Sequence, residues 1–186
     1  VDEFIIYDDK QYTKRDWRNR NKIKPPNEVI WLTIPVEVKG KFFQKIRDTQ
    51  ISEPDWNKKH WATIYHNYSK ALYFNDYKEI FEKAYLDCNF KYLSEINYHF
   101  IKLICGLLDI KTKIKWSGDF ELVEGKTEKL VDLCLKTNAT DYYSGPAAKG
   151  YIDDALFTEK NINLHYFDYS GYPAYKQLYG DFTHEV

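Results

Sequence analysis

Lys113 to Phe167, KIKWSGDFELVEGKTEKLVDLCLKTNATDYYSGPAAKGYIDDALFTEKNINLHYF, is where the hydrophobic period switches repeatedly between two and three-to-four. Ile114 to Trp116, Tyr142 to Ser144 and Ile162 to Phe167 read as short strands. Between them Thr127 is a suitable N-cap for a helix through Leu130, Val131, Cys134 and Leu135, with Asn138 as its stop. Tyr151 to Phe157 suggests a further helix. Strands alternating with helices predict an α/β fold with a three-layer, mostly parallel sheet and right-handed crossovers. Ligands of such sheets sit beyond the carboxyl ends of the strands. That places Asp8-Asp9, Ser117-Gly118 and Ser144-Gly145-Pro146, all at predicted strand ends, on one expected rim.

Upstream, Phe4 to Tyr7 reads as a buried strand. Arg18 to Lys24 and Val29 to Val38 read as a β-hairpin closed at Pro25-Pro26-Asn27, with Pro35 marking an edge or a break. Residues 52 to 108 read as a helical insertion. Ser52-Glu-Pro-Asp55 supplies a helix start, and Trp56, His60, Ile64 and Tyr68 recur every four residues. Two more helices follow, at about 75 to 87 and 91 to 108, with Gly106 weakening the last turn. No linker and no repeat divides the chain, so a single domain over 1–186 is expected. The sequence opens on Val-Asp-Glu, contains no Met and stops at His-Glu-Val, and is read as cut from a longer one at both ends.

Apolar and charged fractions of 44% and 30% are those of an ordinary globular protein. The aromatic fraction of 18% is high, and 17 tyrosines supply about half of it. A formal net charge of −1 argues against a general nucleic-acid coat. Cys88, Cys105 and Cys134 have no CxxC spacing, which fits buried small hydrophobes in a reducing compartment. No apolar run approaches the ~20 residues of a membrane span. A cytoplasmic protein is therefore expected.

The local charge is another matter. After Asp8-Asp9, seven basic residues fall within Lys10 to Lys24, and Arg18, Arg20, Lys22 and Lys24 alternate. On a strand they would form a positive ladder on one face, with Trp17 and Asn19 on the other. Arg18 and Arg20 suit bidentate grip on a diphosphate; the competing reading is a solvated edge face. Asp8 and Asp9 suit orienting an amine or hydroxyl, or holding a metal; the competing reading is a strand end paired with Lys or Arg. Gln11 and Tyr12, between the two groups, are candidate substrate contacts.

His60 is a candidate general base, set against a packing histidine on a Trp-Ile-Tyr face. His99 and His165 read as structural, and no zinc spacing or Ser-His-Asp arrangement occurs. Gly125-Lys-Thr-Glu lacks the upstream glycine of a P-loop, but Lys126 and Thr127 at a helix start are candidate anion contacts. Ser144-Gly145 is a small-residue turn through which backbone can approach a ligand. Tyr169, Tyr172, Tyr175 and Tyr179 suit stacking on a base or sugar, with packing under a loop as the alternative; Tyr172 and Tyr175 are the candidate contacts.

YDDKQYTKRDWRNRNKIK, WLTIPV, KKHW with the downstream NYSKA, GKTEKLVDLC, YYSGPAAKGYID and FDYSGYPAYKQLYG together resemble the WbqC-like family of bacterial surface-polysaccharide clusters, nearly from end to end. Family members carry a further segment ahead of Asp2 and continue past His184. Local departures are Lys10, Leu72 and Gly118, where valine, proline and serine are usual. The wider chain order also looks like Rossmann-like nucleotide-binding folds of the nucleotidyltransferase and class I synthetase kind, by analogy. The resemblance implies O-antigen or other surface-glycan biosynthesis, through a transferase that modifies the amino group of a nucleotide-linked sugar by acyl or aminoacyl transfer. The expected partner is that nucleotide-sugar or another phosphorylated small molecule. No cofactor or metal is assigned, nucleic acid is not expected, and oligomerisation stays open. The alternatives are a non-catalytic scaffold of the same pathway, using the tyrosine-rich surface, and, behind it, an RNA-binding module.

Overall fold

Glu3–Ile6 forms β1, and the chain then turns through a short 3₁₀ turn at Trp17–Asn19 into β2, Arg20–Ile23. β3, Ile30–Thr33, returns antiparallel with Lys22 opposite Trp31 and Arg20 opposite Thr33. The turn residues Pro25-Pro26-Asn27 close the hairpin, because proline presets φ and removes a ladder donor. Pro35 lies two residues past the end of β3, where the ladder stops. The computed structural model describes residues 1–186, and its contacts gather them into two units: Val1–Lys113 with Ala174–Val186, and Ile114–Pro173.

In the first unit three helices follow the hairpin: α1 (Trp56–Tyr68), α2 (Phe74–Leu86) and α3 (Leu93–Leu107). The four-residue recurrence works as expected at its start, where Trp56 and His60 are buried. Trp56, Cys88 and Ile96 form the core, flanked by Ile34, Ile51, Tyr85 and Phe100. Leu93 and Ile96 have no exposed surface, each worth about 1.5–3 kcal/mol of transfer free energy. Polar ties fix the layers. The Asn57 amide donates to the carbonyls of Tyr85 and Cys88 at 3.0 and 3.3 Å, satisfying the open C-terminal end of α2. The Tyr68 hydroxyl accepts from Lys24 N at 2.8 Å and joins α1 to the hairpin.

The second unit begins within β4, Lys113–Trp116. It continues with α4 (Thr127–Lys136), β5 (Asp141–Ser144), α5 (Asp154–Glu159) and β6 (Asn163–Tyr166). β5 and β6 pair in parallel, Tyr142 opposite Leu164 and Tyr143 opposite His165, with α5 in the crossover. The core is Val131, Cys134, Ala148, Ile152, Phe157 and Ile162, with Phe157 fully buried. Asp153 caps α5 by accepting from Ala155 N at 3.1 Å.

The molecule is thus α/β, with five helices and short strands. The strands pair two by two, with no wider sheet. The expected helix at Tyr151 to Phe157 is a 3₁₀ turn over Pro146–Gly150 followed by α5, shifted because Asp153 is the better cap. No helix is long and apolar enough to cross a membrane.

Candidate functional site

The candidate site of the first unit begins where residues 8–12 run antiparallel to 44–47. Arg47 N donates to Asp8 O at 3.1 Å, Ile46 N to Lys10 O at 2.9 Å and Tyr12 N to Gln44 O at 2.9 Å. This pairing brings two cations to one carboxylate: Lys45 Nζ and Arg47 Nη1 stand 2.6 and 3.5 Å from Asp9 Oδ1. Asp8 is buried at 5% exposure, while Asp9 keeps a partly open side chain. The twin carboxylates therefore differ: Asp9 anchors a pair of basic side chains and Asp8 sits inside. Gln11 donates its amide to Phe42 O at 2.8 Å, which holds the next loop over this segment.

Tyr12 is buried, and burial pushes its phenol above its ordinary value while the charges of Arg18 and Arg20 pull it back. The charges of both guanidinium groups thus act on the same phenol. Arg18 donates to Thr13 Oγ1 at 2.6 Å and pairs with Asp16. Arg20 donates to the Arg15 carbonyl and lies 4.0 Å from the centroid of Trp31; its Nε is buried without a partner. Lys22 lies 4.9 and 5.3 Å from the Trp17 and Trp31 rings, which contact each other at 4.8 Å. The result is an exposed cation–aromatic stack, in which rings offer stacking faces and the cations offer anion contacts.

This differs from a four-rung ladder. Asp16 caps the 3₁₀ turn through Trp17 N, and that turn advances about 120° per residue instead of 180°. Arg18 therefore leaves the face shared by Arg20 and Lys22. Lys24 lies past β2 and is held by Gln177 Oε1 at 2.7 Å and the Asp181 carbonyl. Asn19 does pack inward, its amide 2.8 Å from Ile34 O, but Trp17 remains 47% exposed. Trp31, Lys45 and Arg47 are site residues that sequence reading passed over. Counting outward equally from Pro26 and Asn27 reaches Lys22 and Trp31 together, so the first was available from the turn. The other two depend on a non-local pairing with no local signature.

His60 lies in the helical core, with Nε2 3.0 Å from the Thr33 carbonyl and its ring edge-on to Trp56. Since a carbonyl only accepts, Nε2 carries the proton and donates. Burial holds the imidazole below its ordinary pKa. This is the arrangement of a packing histidine. Tyr175, also in this unit, is exposed and rests against Phe182, whereas the Tyr179 hydroxyl donates to Asn67 O at 3.1 Å and is a packing group.

The remaining candidates belong to the second unit. Thr127 is buried, and its Oγ1 accepts from Asp153 N at 3.1 Å, so it ties α4 to the start of α5. Lys126 is exposed beside it, but the Glu128 side chain folds against Gly125 and brings negative charge to the same helix start. Ser144 ends β5, and an added side chain at Gly145 would meet open space. Tyr172 is exposed at the end of a chain of rings, Phe167 to Tyr169 at 6.0 Å and Tyr169 to Tyr172 at 6.5 Å. His165, expected to be structural, donates from Nε2 to Asp141 Oδ1 at 2.7 Å and stacks on Tyr143.

No group of three or more His, Cys, Asp or Glu side chains converges in a way that holds a metal ion. The three cysteines are free thiols.

Comparison with known proteins adds family membership. The WbqC-like protein family matches residues 1–186. A relative from Mycobacterium tuberculosis, described as Uncharacterized protein Rv1507c, is 50% identical over 186 residues, covering 100% of this chain and 80% of its own length. No solved structure matches. The full-length family match and the identity to the mycobacterial relative agree with the resemblance carried by the Tyr7–Lys24 segment and the others: the chain belongs to the WbqC-like protein family.

Proposed function

We propose that this protein is a transferase of surface-polysaccharide (O-antigen) biosynthesis that modifies the amino group of a nucleotide-linked sugar by acyl or aminoacyl transfer. The observation that supports this reading most is the exposed cation–aromatic stack of the hairpin. Arg20 lies over Trp31, Lys22 lies over Trp17 and Trp31, and the charges of Arg18 and Arg20 both act on the buried Tyr12 phenol. Guanidinium groups recognise phosphate through parallel N–H donors, and indole faces stack on a base or sugar. Asp8 or Asp9, carried by the adjoining segment, is the carboxylate to orient the amine. On this reading the work is done in the cytoplasm.

Titration calorimetry with UDP- and dTDP-linked amino sugars tests it. Saturable binding that falls about tenfold or more in an Arg18→Ala, Arg20→Ala double variant supports the assignment. Absent binding, or binding unchanged in the double variant, rejects it.

A second reading, a non-catalytic scaffold of the same pathway, is favoured by the exposed rings of Tyr169, Tyr172 and Tyr175. It expects glycan production to survive Asp8→Asn with Asp9→Asn in a stably folded protein.

A further inference from the structure

A concavity lies away from the arginines, within the helical unit. It is a groove of about 860 Å³, inside the 300–1,000 Å³ range of small-molecule sites. Trp61, Ile64, Phe74 and Phe81 line it from α1 and α2. Trp61 is stacked on Phe74 and Tyr85 and its indole N–H donates to Glu82 at 3.0 Å, which makes this wall rigid. The opposite side is Lys176-Gln177-Leu178. That segment is pinned by Lys24 donating to Gln177, by Gln177 and Thr183 exchanging hydrogen bonds at 2.8 and 3.0 Å, and by Tyr179 donating to Asn67 O. The groove is therefore built by two separate anchored segments. They are also two of the segments that carry the family resemblance, NYSKA and YKQLYG.

Its chemistry is one-sided. The lining is aromatic and aliphatic, with lysines 70, 78 and 176 as its charges and no carboxylate. Lys70 and Lys176 are exposed, and Lys78 rests over the Tyr65 ring at 5.4 Å. An uncharged apolar occupant would leave these ammonium groups unused. A free sugar or a bare nucleotide would cover only part of the aromatic and aliphatic wall. A chain of hydrocarbon ending in a phosphorylated group meets both requirements.

We propose that this groove binds the acyl chain of a thioester carried on a phosphorylated thiol, with Lys70, Lys78 and Lys176 holding the anionic carrier. The inference rests on the transferase reading above and names its donor class: acyl, not aminoacyl.

The test is calorimetric titration of the whole protein with decanoyl-coenzyme A, coenzyme A, and decanol. Decanoyl-coenzyme A should bind at least about tenfold more tightly than either of the others, since each carries half of the recognised chemistry. Lys70→Ala with Lys176→Ala should weaken it about tenfold and flatten its salt dependence. Ile64→Trp, which fills the groove, should abolish it, and Leu178→Glu at the half-open wall does the same if the first variant fails to fold. Coenzyme A binding as tightly as its decanoyl thioester, binding unchanged in Leu178→Glu, or no binding at all overturns the proposal. Retained affinity for the nucleotide amino sugar in that event leaves the transferase reading standing, whereas loss of nucleotide-sugar binding with acyl thioester binding intact removes the transferase reading alone.

Discussion

The Arg20 guanidinium carbon lies 4.0 Å from the centroid of the Trp31 ring, held there by antiparallel register that sets the next pair, Lys22 and Trp31, directly opposite. A planar guanidinium can rest its face on an indole and still donate in its own plane; in Arg20 one such donor serves the Arg15 carbonyl and Nε is buried, which leaves the other terminal nitrogen for a phosphate. Arg20→Lys should therefore fail to restore nucleotide-sugar affinity, since an ammonium gives neither the flat stack nor the fork. Calorimetry comparing Arg20→Lys with Arg20→Ala checks this. Affinities within about threefold of each other are expected, both well below the native value.

Asp9 joins Lys45 and Arg47 to the segment that carries Asp8 and Tyr12. Asp9→Asn should lower unfolding free energy by about 1 kcal/mol, with a smaller loss at high salt, because the pairs are partly open to solvent. Urea denaturation at low and high ionic strength measures both effects.

His60 sets a pH dependence whose sign is fixed by its environment. Its folded pKa is lowered, so below about pH 6.5 the unfolded chain takes up a proton that the folded protein resists. The His60 contribution is complete above that value and is lost as pH falls through the folded pKa. His60→Gln keeps a donor for the Thr33 carbonyl and does not titrate. The stability difference between pH 7.5 and 5.5 should accordingly shrink in the variant, as read from urea midpoints.

Burial raises the Cys134 thiol to about 11 and lifts the Cys88 thiol as well, while Cys105 is only half-buried. Only the thiolate alkylates at a useful rate. Iodoacetamide at pH 8 should modify Cys105 first, with Cys134 at least about tenfold slower until the protein is unfolded. Peptide mapping of a time course reads the order.

Thr127 buries the acceptor for Asp153 N. Thr127→Val should cost about 1–3 kcal/mol by leaving that amide unpaired, and Thr127→Ser should recover most of it. Such a result identifies Thr127 as an anchor of α4 and α5, independent of any anion contact.

Much of the fold was legible because it is written in local periods. The stretch from Lys113 to Phe167 declares its strands and helices through alternating hydrophobic patterns and caps, and α2 and α3 fall within two residues of their expected bounds. The hairpin was legible from Pro25-Pro26-Asn27. Strand pairing was less so: alternation with helices argues for a parallel sheet, and β5 with β6 obeys it, yet nothing local states how many strands join.

The site divides along the same line. That Asp8, Asp9, Arg18 and Arg20 are close in the chain, and that the segment is basic and aromatic, is a property of the sequence. Which arginine shares a face with Lys22 was decided by one capped 3₁₀ turn. That Asp9 meets Lys45 and Arg47 was decided by residues 44–47 coming alongside residues 8–12. Trp31 meeting Arg20, and Leu178 closing a groove begun by Trp61, likewise join positions far apart in the chain. Periodicity and capping act over one or two turns of backbone, so the sequence by itself determined the elements and their chemistry. Partners across long loops are chosen by burial and register in the folded state, and only the tertiary structure decided them.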